Sequence, residues 1–283
     1  MQYFADECKE FQEAVADAVR SVGATPLRTI WCCDEIVPGN VLSPANHRKF
    51  WAFYVGFADM PRHRSSQEQW WLPVALLRSS IASSVVGGLS NCFKLLLRDA
   101  LFEPSQLATV GVALQLGRPV LARISVGSII ADESALKALW DSKGASGTKP
   151  CLFCGNLVSL MSGLADEIPR LIDVSCCDHR RFQLCSDTDI WSAYDRLASL
   201  SGRVTKADFG VQERAAGLNY SPDSLLGDRQ LRKHLGPVSV TRMDWMHNLC
   251  VNGVGNKEIH IFLERCKEQL GGAVCISPNF PAS

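Results

Sequence analysis

Apolar positions recur at helical spacing from the start of the chain. Phe4, Cys8, Phe11, Val15, Ala18, Val19 and Val22 share one face and predict an amphipathic helix over residues 2–22. Gly23 and Pro26 stop it. Residues 27–33 (LRTIWCC) read as a short strand ending at Asp34 and Glu35, with a turn at Pro38, Gly39 and Asn40. The aromatic run 50–57 predicts a second strand, followed by a polar basic loop over 61–66. Two helices are predicted over 67–86 and 89–101, broken at Gly87 and Gly88. Residues 109–115 and 119–130 predict two strands around a turn at Leu116, Gly117 and Arg118. The second strand delivers the chain to Asp132, whose carboxylate suits the N-cap of a helix over 133–142.

The pattern then loosens. Residues 143–150 (KGASGTKP) form a basic, glycine-rich connector into Cys151 and Cys154, and 155–240 reads as mostly helical and irregular, without an internal repeat. Helix-like stretches return at 244–251 and 257–270, and the tail from Gly271 reads as frayed or cut. Four parts result: an N-terminal helix (1–26), a core (27–142), an inserted helical subdomain carrying the cysteine pair (143–243), and C-terminal helices returning to the core (244–283), read as truncated.

Composition narrows the function. Hydrophobic residues make up 47% of the 283, enough for a buried core, which excludes disorder as the main state. Lys plus Arg equals Asp plus Glu at 29 each, so no global field draws the chain to DNA, and any nucleic-acid role rests on local patches. The longest apolar run, 72–77, is far short of the ~20 residues that span a bilayer, so no membrane partner is expected. The acidic N-terminus lacks the apolar core of a secretion signal. The twelve cysteines mostly stand singly in apolar stretches, the usage of a reducing, intracellular compartment.

The feature that carries chemistry is an order of elements. One strand ends in an acid, helices follow, and another strand ends in a second acid that opens a helix. An RNase-H-like fold, a mixed sheet flanked by helices, brings two such carboxylates together on divalent metal. Hard oxygen ligands suit Mg²⁺ or Mn²⁺, and a two-metal site activates the attacking oxygen and stabilises the leaving one in phosphodiester cleavage. Asp34 and Asp132 are the candidates. Each also has a plainer explanation: Asp34 as a turn residue ending its strand, Asp132 as a helix cap. Glu35 points to the other face of an extended segment and is not expected to share the ion. Cys151 and Cys154 have the spacing of half a tetrahedral Zn²⁺ site, with His247, Cys250, His179 or the Cys176 and Cys177 pair as further ligands, or are two buried thiols on a turn. A thioredoxin-like role is disfavoured, since this pair follows a glycine-rich loop rather than opening a helix after a strand. Arg62, Arg64, Lys143 and Lys149 are candidate phosphate contacts or solvated surface charge, and the aromatics of 50–57 with Trp70 and Trp71 read as core.

Residues 130–136 (IADESAL), the connector 143–150 with Cys151 and Cys154, and residues 244–249 (DWMHNL) together resemble the transposase core of CACTA/Plavaka-like mobile elements. The resemblance spans about residues 27–265, and its specificity lies in the order of the motifs. It implies an RNase-H-like DDE/D transposase that cuts and joins DNA at element ends with divalent metal, in the nucleus, on DNA and with a further copy of the chain as partners. It assigns Asp34 as first acid and Asp132 as second. The third acid stays open between Asp244 and Glu264, and Glu258, Glu264 and Glu268 also fit an ordinary solvent-facing helix. A chain ending before its third acid would be inactive. Two other readings therefore stand beside the enzyme: a non-catalytic binding or scaffold protein keeping the fold, and a structural zinc protein.

Overall fold

A computed structural model describes residues 9–37, 49–116, 118–244 and 254–269. Helix α1 (Lys9–Val22) precedes β1 (Leu27–Ile36), β2 (Phe50–Phe57) and β3 (Leu72–Arg78). Helix α2 (Gly88–Leu101) leads to the hairpin β4 (Val112–Leu116) and β5 (Arg118–Ala122), then β6 (Ile124–Ala131) and α3 (Glu133–Leu139). After short strands β7 (Leu157–Val158) and β8 (Ile172–Asp173) come α4 (Asp187–Leu200), α5 (Lys206–Ala216), β9 (Thr241–Met243) and α6 (Val254–Gln269). None of the helices in these residues is long and apolar enough to cross a membrane.

The fold is mixed α/β. Its main sheet has five strands in the order β3-β2-β1-β6-β9, with β1, β2 and β3 antiparallel neighbours and β1, β6 and β9 parallel ones. Strand β1 alternates because one face is buried: Leu27, Thr29, Trp31 and Cys33 are covered, while Arg28 and Asp34 are exposed. Phe93 of α2 lies between Trp31 (ring centroids 5.9 Å, edge-on) and Phe53 (5.7 Å, stacked), joining the helix to two strands. Phe11 of α1 stacks on Trp70 at 5.9 Å, so the N-terminal helix belongs to the same core.

Three expectations need correction. Much of the helix expected over 67–86 is instead strand β3, with short helical turns only at Glu68–Trp70 and Ser79–Ser84. The apolar run there has no period that favours a helix, and pairing with β2 makes it a strand; Pro73 is tolerated because β3 is the sheet edge, beside a register shift between Phe53 and Tyr54. The strand expected over 119–130 divides at Arg123: its first half pairs with β4 in a separate ribbon, its second joins the main sheet. Strand β9 lies inside the part expected as an inserted subdomain (143–243), so the chain rejoins the core sheet at Thr241, ahead of residue 244. The expected helix over 244–251 and the tail after 269 lie largely outside the described residues.

Candidate functional site

Three aspartates stand near the C-terminal ends of three adjacent parallel strands, Asp34 within β1 and Asp132 and Asp244 just past β6 and β9. In the β1–β6 pairing Cys33 is opposite Ala131, so Asp34 and Asp132 are each one residue further along. In the β6–β9 pairing Ala131 is opposite Met243, and the Asp244 amide donates to the Ala131 carbonyl at 3.4 Å. Asp34, Asp132 and Asp244 thus occupy one row across the sheet, each about one interstrand spacing (~4.8 Å) from the next.

A bulge makes this row. Thr29 pairs with Val126 but Ile30 pairs with Ser128, leaving Gly127 as an extra residue in β6. The burial pattern of β6 shifts there, from Ile124 and Val126 to Ile129 and Ala131. Without the extra residue Asp132 would stand opposite Glu35, with its side chain on the other face. Gly127 fits because a Cβ would lie 2.9 Å from the Arg28 Cβ and 3.1 Å from the Thr29 carbonyl oxygen.

Each acid has its own surroundings. Asp132 is extended (φ −67°, ψ 170°) and caps α3, accepting from the Ala135 amide at 2.7 Å. The Ser134 hydroxyl sits 3.1 Å from both of its oxygens. Burial, then the charges of Asp34 and Asp244, pushes the Cys32 thiol up to about 11. Cys33 is also pushed up, by burial first and then by Cys32, Asp34 and Asp132. Both thiols therefore stay neutral beside the row and add no further negative charge. Glu35 turns away as expected: burial raises its pKa, but hydrogen bonds from Ser79 (2.7 Å) and Lys49 (3.0 Å) and the Lys49 charge outweigh that and hold it low. Glu264 lies half-buried on α6, separated from Asp244 by residues 245–263.

Strand β9 is held in place from the insert. The Asp187 carboxylate, in the first turn of α4, accepts from the Val238 amide (2.6 Å) and the Ser239 amide (3.0 Å). It packs so tightly on Gly236 that no Cβ would fit there. The Trp140 ring nitrogen donates to the buried Thr241 hydroxyl at 2.9 Å, tying the end of α3 to β9.

The basic candidates are engaged internally. Arg64 lies over the Trp70 ring at 5.0 Å, and its Nη1 is buried without a hydrogen-bond partner. Lys143 pairs with Glu213 at 3.2 Å and donates to the Asn219 side chain at 2.6 Å. Lys149 donates to the Cys185 sulfur at 3.1 Å. Arg62 opens a short helical turn, Arg62–Ser65. None of the three described side chains stands as an open phosphate contact, because each closes a contact between segments of the fold.

Cys151 and Cys154 share one bend and influence each other's titration: Cys154 lowers the Cys151 pKa, and Cys151 together with burial raises that of Cys154. Cys185 is their unforeseen neighbour, brought in by an antiparallel rung in which the Cys185 amide donates to the Phe153 carbonyl (2.8 Å) and the Gly155 amide to the Gln183 carbonyl (2.6 Å). The run Gln183, Leu184, Cys185 carries no spacing motif, so only the pairing shows it. His247, the expected further ligand, lies outside the described residues. Among those residues no group of three or more His, Cys, Asp or Glu side chains is gathered to hold a metal ion, so the aspartates share a backbone row rather than a formed ligand cage. No family model matches the chain, and no curated protein matches it.

Proposed function

We propose that the chain is an RNase-H-like, transposase-type phosphodiester-cleaving and strand-transferring domain, with Asp34, Asp132 and Asp244 as its acids. The observation that carries this reading is the register: three aspartates, distant in sequence, fall in one row near the C-terminal ends of three neighbouring parallel strands. The strand order adds to it, an antiparallel β3-β2-β1 meander continued by parallel β6 and β9 with a helix between them, which is the arrangement an RNase-H-like sheet needs.

The donor set fits a hard divalent cation, since all three groups are carboxylates and the thiols beside them are protonated. Mg²⁺ or Mn²⁺, when bound, would supply charge neutralisation and activation of the attacking oxygen. Asp132 meets that task with its carboxylate oriented by the Ala135 amide at the start of α3. Asp34 and Asp244 flank it from the neighbouring strands. Asp244 is the third acid in this reading because strand pairing holds it in the row, which leaves Glu264 as a helix residue.

The test is metal-dependent nicking of supercoiled DNA. Asp34→Asn and Asp244→Asn are expected to lose at least ~100-fold in rate while Glu264→Gln keeps it. Equal nicking by wild type and Asp34→Asn rejects the assignment. A second reading, a non-catalytic scaffold that keeps the fold, is favoured by the internal partners of Arg64, Lys143 and Lys149. Gel-shift titration across salt separates the two, because DNA contact requires affinity that falls with salt.

A further inference from the structure

We propose that Cys151 and Cys154 are a redox-modification site, a dithiol that a small disulfide such as glutathione disulfide converts to an intramolecular disulfide. The site uses none of the three aspartates and stands or falls apart from them.

The geometry carries it. Cys151 and Cys154 sit three positions apart on one short bend between Pro150 and Gly155, so joining them needs a local approach rather than a refolding of the chain. The far side of the turn is anchored. The rung to Gln183 and Cys185 holds Phe153 and Gly155, and the buried Asn156 side chain donates to the Arg170 (3.2 Å) and Arg181 (2.8 Å) carbonyls and accepts from the Gln183 amide (2.9 Å). The near side is open to reagent: Cys151 forms part of the wall of a cavity of about 160 Å³, with Pro150, Phe153, Trp140 and Met243. The Lys149 ammonium, on the Cys185 sulfur at 3.1 Å, also lies close enough to favour a thiolate at Cys151. An accessible sulfur, a second thiol on the same bend and a nearby cation favour thiol–disulfide exchange.

The steps balance. The Cys151 thiolate attacks one sulfur of glutathione disulfide and expels a glutathione thiolate. Cys154 then gives up its proton, attacks the Cys151 sulfur of the mixed disulfide and expels the second glutathione. One S–S bond breaks and one forms. Two electrons pass from the pair to the oxidant, and the two thiol protons end on the two glutathiones. The new bond, ~2.05 Å long, draws the Cys151 sulfur toward Cys154 and so reshapes the cavity wall beside Met243, the residue before Asp244.

The full chain is incubated with glutathione disulfide, sampled over time, quenched with acid, alkylated and mapped by mass spectrometry. A Cys151–Cys154 disulfide is expected to form at least ~10-fold faster than oxidation of the exposed Cys177. Cys154→Ser is expected to trap a glutathione adduct on Cys151, and Cys185→Ser to leave the 151–154 disulfide forming; circular dichroism checks that both variants fold. Preferential pairing of either cysteine with Cys185, oxidation no faster than Cys177, or absence of the adduct in Cys154→Ser overturns the proposal. So does stoichiometric zinc in the purified protein that shields both thiols from alkylation.

Discussion

Asp34 and Asp132 lie one residue beyond the paired Cys33 and Ala131, near the C-terminal ends of adjacent parallel strands, although 98 positions separate them (132 − 34). Their relationship depends on Gly127, whose insertion opposite the Thr29–Ile30 step moves the rest of β6 along by one residue. Gly127→Ala is expected to cost about 1–3 kcal/mol, since the added methyl meets Arg28 and the Thr29 carbonyl. Urea unfolding measures it as a lower midpoint at unchanged slope. A variant as stable as wild type would show that the bulge has room to relax.

Asp132 has a structural task whatever its chemistry, and the two can be separated. Asparagine caps helices about as well as aspartate, whereas alanine forfeits the bond to the Ala135 amide. Asp132→Ala should lose about 1 kcal/mol of stability and Asp132→Asn much less. Both should lose metal-dependent nicking. An Asp132→Asn protein that nicks like wild type would leave the residue as a cap alone.

Asp141 introduces a dependence on pH. It sits just past α3 with φ at 51°, its Oδ2 buried without a hydrogen-bond partner. Burial pushes its carboxyl from 3.8 to about 6, against the opposing pull of Ser224 and Ser90, and Tyr194 on α4 is the titratable side chain that feels its charge. The folded value lies above the unfolded one, so the folded state prefers the protonated acid. That stabilisation is complete below about 3.8 and is lost as pH rises through about 6. By pH 7 the buried charge costs on the order of 3 kcal/mol relative to the protonated acid. Asp141→Asn is expected to be more stable than wild type at pH 7, with the advantage shrinking toward pH 4. Thermal melts across that range check it; a difference independent of pH contradicts the assignment.

Phe93 is 0% exposed between Trp31 and Phe53. Phe93→Ala should cost about 3–5 kcal/mol, because lost burial and the cavity left behind add up where three elements meet. Exposed Leu95 on the same helix is the control, and Leu95→Ala should change stability by less than about 0.5 kcal/mol. Chemical denaturation of the pair measures the contrast.

Much of the core was legible in sequence. The apolar face of α1, the strands β1 and β2, the buried Phe53 and Trp70 and the cap at Asp132 all follow from local patterning. What was misread follows from non-local pairing. Residues 72–78 read as helix because an apolar run carries no period that distinguishes a strand, and β2 decides it. Thr241–Met243 is too short to register as a strand until β6 supplies its partner, and Cys185 joins the cysteine pair only through a backbone rung.

The order of residues alone determined which side chains could do chemistry: carboxylates closing strands, a cap opening α3, and two thiols three positions apart. Their grouping was a tertiary decision. The bulge at Gly127, the anchoring of β9 through Asp187 and Trp140, and the internal pairing of Lys143 and Lys149 all join segments far apart along the chain. Such contacts leave no local periodicity, because their energy comes from partners that meet only when the whole sheet has closed.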